Sequence, residues 1–251
     1  MATYPEMKNR AVAITGAAAG IGEVAARSFY QQGAHVYLLD IDQAGIEKIA
    51  TELGDRAHPI RVDITNPESV SETFKAIDRA GNGLDVFINC AGGYQKLLNV
   101  ENMDLEEWDK TISLNLRAVF LCCQAAIPRL KKSKAGRIIN VTSISGRTVH
   151  ATSSPAYGSA KAGVTQLTRF LAYELGQYGI TANTIAPLTT LTPRVAALRT
   201  QEDVAKIASQ VPLGRLAVED DHVSAMLYLA SDGAAFVTGV ALDTNGGRVM
   251  L

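Results

Sequence analysis

The chain is poor in cysteine: its 251 residues include three, Cys90, Cys122 and Cys123. So few thiols exclude a disulfide scaffold, and their spacing is not that of a zinc site, so no metal centre is expected. Adjacent Cys122 and Cys123 lie in the apolar run LCCQAA and read as small core side chains. Charge of one sign is equally scarce, since 24 Lys and Arg against 25 Asp and Glu leave a formal net charge of −1. Without an acidic or basic excess, neither a nucleic acid nor an anionic membrane is an expected partner. Long apolar runs are missing too. None reaches the length of a membrane-spanning helix, and the opening MATYPEMKNRAVAIT shows no signal-peptide core or cleavage pattern. The expectation is a soluble, cytoplasmic protein. Internal repeats, low-complexity segments and linkers are also absent, so residues 1–251 read as one domain.

What the sequence does have is an alternation. Arg10–Thr15, His35–Asp40, Pro59–Asp63, Leu84–Asn89, Arg137–Val141, Thr181–Ala186 and Val240–Asp243 read as strands, mostly apolar throughout, as in parallel strands covered on both faces. Between them, Ile21–Gln32, Gln43–Leu53, Pro67–Ala80, Leu105–Lys131, Ala156–Tyr178 and His222–Ser231 carry helical periodicity. Gly33 suits a helix C-terminus and Pro67 a first turn, while Pro128 should kink or end its helix. Strict alternation implies right-handed crossovers and an α/β fold: a doubly wound parallel sheet of about seven strands with helices on both faces. Residues 187–213 form the longest stretch without a strand and the best candidate for a substrate-binding lid.

The stretch TGAAAGIG joins the first strand to the first helix. Gly16, Gly20 and Gly22 let the backbone turn sharply and approach a ligand, and the helix starting near Ile21 offers free N–H groups to a pyrophosphate. Asp40 ends the second strand, where a carboxylate accepts hydrogen bonds from an adenosine ribose. A 2′-phosphate there would meet like charge, and neither the loop nor Ile41 offers a cation to offset it. The expected cofactor is therefore NAD (NADH) rather than NADP.

SSPAYGSAKAG sets Tyr157 and Lys161 four residues apart, on one face of a helix. An ammonium at about 4 Å in an effective dielectric near 20 stabilises a phenolate by about 4 kcal/mol, an upper figure for lowering the phenol pKa. That makes Tyr157 a plausible general acid–base. Tyr4 and Lys8 repeat the spacing, but Pro5 follows Tyr4 and no polar strand-end partner is near, so Tyr4 reads as a tail residue. Ser143 lies just past the strand RIINV, at the edge where such sheets bind ligands, with Ser145 two residues on. Asn89 ends another strand, in FINCAGG, whose small residues admit a ligand. Asn115 is an amide in an apolar helix, either a packing device or a relay.

Over essentially its whole length the chain resembles the short-chain dehydrogenase/reductase family, with its Rossmann-type domain. TGAAAGIG, Asp63 in RVDIT, NCAG, Asn115, Ser143, YGSAK, and VTG with NGG carry the resemblance by their order and spacing. It implies that Tyr157 is the acid–base, that Lys161 holds ribose hydroxyls and lowers the tyrosine pKa, that Ser143 binds the reacting oxygen and that Asn115 fixes a relay water. It places Asp63 and Ile64 at the adenine, Asn89, Ala91 and Gly92 along the adenosine, and Pro187, Thr190 and Thr192 at the nicotinamide end. It also implies a homotetramer or homodimer packed through two long helices. Leu188 departs from the pattern, standing where the family has glycine.

The expected activity is NAD-dependent interconversion of a secondary alcohol and a ketone, the substrate a small molecule such as a polyol, sugar or small ketone. Tyr94, Ser143, Ser145, His150 and Leu188 are the expected substrate contacts. Arg147 and Arg194 are either anion ligands or solvated cations. A 3-oxoacyl thioester reductase is the alternative enzyme, and a non-catalytic NAD-sensing protein the alternative from another class.

Overall fold

In the computed structural model, which describes residues 2–149, 153–192 and 200–250, the apolar runs form seven strands. These are β1 (Ala11–Thr15), β2 (His35–Asp40), β3 (Ala57–Arg61), β4 (Val86–Asn89), β5 (Arg137–Val141), β6 (Thr181–Pro187) and β7 (Ala241–Thr244). They make one sheet in the order β3-β2-β1-β4-β5-β6-β7, and every pairing is parallel. Alternate residues of β1 show why its strand is apolar throughout: Ala11 and Ala13 pack into one core, Val12 and Ile14 into the other.

The helices between the strands are α1 (Gly20–Gln31), α2 (Gln43–Leu53), α3 (Pro67–Ala80), α4 (Leu105–Ile112), α5 (Ala118–Leu130), α6 (Pro155–Leu175), α7 (Gln201–Ala208) and α8 (Glu219–Ala230). One face of the sheet is covered by α3, α5 and α6, through Phe74, Cys122, Cys123, Val164 and Leu171. The other is covered by α1, α2 and α8, through Phe29, Ile46, Val223 and Met226. Burying a side chain of this size contributes about 1.5–3 kcal/mol, so the two layers hold the strand ends in fixed relation. Side chains cap several helices: Asp42, Asn66 and Asp104 accept from backbone N–H groups in the first turns of α2, α3 and α4. α1 has no such cap, because Ala19 stands at its N-terminus.

Several expectations are corrected. β3 lies two residues before the expected Pro59–Asp63, and it is an edge strand, where a proline without an N–H is tolerated. α8 begins three residues before His222, so this histidine lies inside the first turns rather than at the start. Residues 187–213 include α7, whose Thr200–Asp203 capping box starts a helix the sequence reading did not expect. Between α4 and α5 the turn Ser113–Arg117 is a π-helix, with the Ala118 N–H bonded to the Ser113 carbonyl. This joins Leu105–Leu130 into one helical stretch long and apolar enough to cross a membrane by length and composition, contrary to the expectation that none would be. In the fold Ala118, Val119, Cys122, Cys123, Ala126 and Leu130 of this stretch pack in the core beneath β4 and β5, while Phe120 is exposed. Tyr4 is not a tail residue either. It packs against the α1 layer, and its N–H bonds the Gln32 side chain at 2.8 Å.

Candidate active site

The C-terminal ends of the parallel strands deliver the site. At β1, Gly16 and Gly20 take φ of +73° and +58°, which non-glycine residues rarely adopt. A Cβ at Gly16 would meet the Ala91 backbone at 2.8 Å, and one at Gly22 would lie 2.0 Å from the Gly16 carbonyl oxygen. The loop therefore closes tightly on itself. It leads into the uncapped N-terminus of α1, whose N–H groups at Gly20, Ile21 and Gly22 carry no side-chain partner. That cradle fits a pyrophosphate.

Asp40 ends β2 beside the loop. One carboxylate oxygen accepts from Ala18 N–H at 3.0 Å and the other from Asp42 N–H at 3.0 Å, which orients the group while leaving lone pairs for ribose hydroxyls. Ile41 is exposed next to it, and Ile64 is buried beside Asp63. The Asp63 carboxylate accepts from the Thr65 hydroxyl at 2.6 Å and its N–H at 2.9 Å, and these bonds hold it below the usual carboxylate range. Thr15 ties the first crevice wall to the second, its hydroxyl accepting from Cys90 and Ala91 N–H at 3.1 and 3.2 Å.

The Asn89 amide nitrogen is committed to the core. Its amide donates to Asn140 at 2.8 Å and to the Cys123 sulfur at 3.3 Å, and Asn140 in turn donates to Thr168 at 2.8 Å. The amide nitrogen joins a buried network in which the Cys123 thiol also donates to the Asn140 oxygen at 3.8 Å. The backbone of residues 89–92 runs beside Thr15 along the crevice. Asn115 is equally committed. Its amide nitrogen donates to the Gly93 and Thr111 carbonyls at 2.7 and 2.9 Å, and its oxygen accepts from Gly93 N–H at 2.8 Å. Both amide hydrogens are thereby spent inside the protein, and the side chain pins the glycine turn after β4. A Cβ at Gly92 would meet Asn115 at 2.7 Å and the Lys161 amine at 3.2 Å, so only glycine passes here.

Ser143 follows β5, Tyr157 and Lys161 lie in the first turns of α6, and the Ser143 side chain acts on the Tyr157 phenol in the direction that favours its ionisation. Ser145 donates its N–H to the Ser143 oxygen at 3.1 Å. Lys161, buried, donates to the Val141 carbonyl at 2.8 Å, its amine 5.5 Å from the Tyr157 ring centre. The expected lowering of the phenol pKa does not appear in the protein alone. Burial pushes Tyr157 up to about 12, only partly countered by Ser143, while burial brings Lys161 down to about 8. The desolvation of both groups outweighs their attraction. Cys90, also near Lys161, is pushed up to about 12 by burial, so its thiol is no nucleophile.

Tyr94 covers Tyr157, with ring centres 5.0 Å apart. Pro187 ends β6 and Leu188 after it is buried with Ile144, the neighbour of Ser143, and Val211. Thr192 reaches back across the crevice, its methyl 3.7 Å from where a Cβ on Gly20 would stand. Thr190 points inward, bonding the Leu188 carbonyl at 3.1 Å and buried His222 at 2.8 Å. Arg147 is no solvated cation: it forms a two-bond ion pair with Asp243 at 3.1 and 3.0 Å. His150 and Arg194 lie outside the described residues. A cavity of about 550 Å3 opens beside Leu188, walled by Val211, Leu213 and Met250, with Asp243 and Thr244 at its polar side. Among the described residues no group of three or more His, Cys, Asp or Glu side chains is placed to hold a metal.

His222 and Thr244 escaped the sequence reading. The available signal was an imidazole on the apolar face of EDDHVSAMLYLA, which marks a buried histidine needing partners at both nitrogens.

The comparisons agree with this geometry. Residues 16–248 match the family described as Enoyl-(Acyl carrier protein) reductase. The chain is 36% identical to a 3-oxoacyl-(acyl-carrier-protein) reductase of Vibrio cholerae, over 98% of this chain and 99% of the relative. It is 34% identical to a D-threitol dehydrogenase of Mycolicibacterium smegmatis, over 93% and 90% of the two chains. The crystal structure of a 3-oxoacyl-(acyl-carrier protein) reductase from Brucella melitensis superposes with a TM-score of 0.92 at 32% identity, covering 99% of this chain and 94% of the other. Parallel sheet, glycine cradle, Ser143–Tyr157–Lys161 and whole-length relatives lead to one assignment: the chain is an oxidoreductase of the short-chain dehydrogenase/reductase family, which uses nicotinamide cofactors.

Proposed function

We propose that this protein is an NAD-dependent oxidoreductase interconverting a secondary alcohol and a ketone, on a small neutral substrate of the polyol, sugar or ketone type. The observation that carries this reading is the buried Tyr157 phenol, with Ser143 acting on it and the Lys161 amine 5.5 Å from its ring centre. A bound nicotinamide supplies or accepts the hydride. Ser143 holds the reacting oxygen by its hydroxyl. Tyr157 donates its proton to that oxygen in reduction and takes it in oxidation. Lys161 holds ribose hydroxyls and, when charged, favours the phenolate. Asn115 keeps Gly92 and Gly93 against Lys161. Substrate selection falls to Tyr94, Ser145, Leu188 and the lid of residues 187–213. Arg147 is neutralised by Asp243, which favours an uncharged substrate over an anion.

The preference for NAD rests on Asp40, whose carboxylate accepts from ribose hydroxyls and repels a 2′-phosphate. Equilibrium titration with NADH and NADPH tests it: tighter binding of NADH is expected, and tighter binding of NADPH overturns it. The names of the relatives favour a second reading, reduction of a 3-oxoacyl thioester. Turnover of a short 3-oxoacyl thioester far above that of polyols and small ketones would select it.

A homotetramer or homodimer packed through α5 and α6 belongs to the proposal, supported by exposed Phe120, Phe170 and Tyr173 on those helices. So does a cytoplasmic location, which suits three free thiols.

A further inference from the structure

His222 is wholly buried in α8, and its two ring nitrogens reach different elements. Nε2 lies 2.8 Å from the Thr190 hydroxyl, and Nδ1 lies 2.8 Å from the Thr244 hydroxyl at the end of β7. The Thr190 hydroxyl spends its one proton on the Leu188 carbonyl, 3.1 Å away. It therefore accepts from Nε2–H, and Nδ1 accepts from Thr244. One neutral tautomer satisfies the chain Thr244–His222–Thr190–Leu188. Burial brings the imidazole down to about 4, so it stays neutral at working pH.

The segment held this way crosses the cofactor crevice. It starts at Leu188, packed on Ile144 beside Ser143, and reaches Thr192 over Gly20 of the pyrophosphate loop. A backbone bridge between Thr190 and Ala217 adds a second fastening. A nicotinamide that reacts beside Tyr157 while its pyrophosphate rests on the loop must lie under this segment.

We propose that His222 is a positioning residue, clamping the segment Leu188–Thr192 to the end of β7 and so shaping the nicotinamide end of the cofactor site. The inference rests on the family's use of a nicotinamide dinucleotide, not on the choice between NAD and NADP. Neither Thr190 nor His222 needs to touch the reacting atoms for it to hold.

The test compares NADH with ADP-ribose, which keeps the adenosine and pyrophosphate but lacks nicotinamide. Calorimetric affinities of both are measured for the wild type, His222→Leu, the partly restoring His222→Gln and Thr244→Val. Loss of the clamp's hydrogen bonds should weaken NADH binding about tenfold in His222→Leu and less in His222→Gln, with ADP-ribose within about twofold of wild type. Equal losses for both ligands, or none for either, would overturn the clamp. If His222→Leu does not fold, Thr244→Val decides by the same comparison, with an NADH-specific loss expected. A wild type that binds ADP-ribose and NADH equally would overturn the clamp while leaving the adenosine site standing. A wild type that binds neither would overturn the cofactor reading itself.

Discussion

Tyr157 lies in a pocket that opposes its ionisation. Burial pushes the phenol to about 12, and the nearby lysine, itself brought down to about 8, does not offset this in the protein alone. On the proposed mechanism the protonated phenol donates in reduction and oxidation needs the phenolate. Oxidation kcat/KM is therefore expected to rise with pH through the neutral and mildly alkaline range, while reduction stays level and then falls. Rates measured in both directions across pH check this, and a reduction rate that climbs with pH would contradict it. A second titration belongs to His222. The unfolded chain takes up its proton below the usual 6.5, the folded protein only near 4, so stability is lost as pH falls between these values. Between pH 7 and 5 this amounts to about 2 kcal/mol, which should be missing from the difference between urea melts of His222→Gln at the two pH values.

At the scale of elements, the turns after β1 and β4 do most to define the site, and glycine geometry makes them testable. Gly22→Ala would put a Cβ 2.0 Å from the Gly16 carbonyl oxygen and should abolish dinucleotide binding in a fluorescence titration. Gly176, at the end of α6, has ordinary helical angles and open space, so Gly176→Ala should leave binding unchanged and stabilise the fold by about 0.5 kcal/mol. The glycine loop, Asp40 and the Tyr157–Lys161 face were legible in the sequence because each is a local pattern: a strand–turn–helix junction, a strand end, an i,i+4 pair. The π turn around Asn115 was not legible, since helical periodicity looks the same with one extra residue in a turn. The destination of the Asn89 amide was hidden for a different reason. It depends on Asn140 and Thr168, brought alongside only when β4 pairs with β5 and α6 packs on them. His222 was misjudged because its helix starts at Glu219, which moves the imidazole from the boundary into the core.

At the scale of the molecule, two covered faces and two edges leave the C-terminal rim of the sheet as the place where strand ends meet. The topological order puts β1 beside β4, so the glycine loop and the 89–92 backbone wall one crevice, and β5 with α6 brings Ser143 and Tyr157, the proposed acid–base, to its end. Exposed Phe170 and Tyr173 on α6 lead to an expected assembly larger than a monomer. Light scattering should register it, and Tyr173→Glu combined with Phe170→Glu should shift the mass towards the monomer. A monomeric wild type at micromolar concentration would contradict this. The most direct test of the central claim is NADH formation from a panel of secondary alcohols and NAD by the wild type and by Tyr157→Phe. Turnover should fall by about a thousandfold in the variant, with the fold and NADH affinity kept. Near-native turnover by Tyr157→Phe would contradict the assignment of Tyr157 as the acid–base.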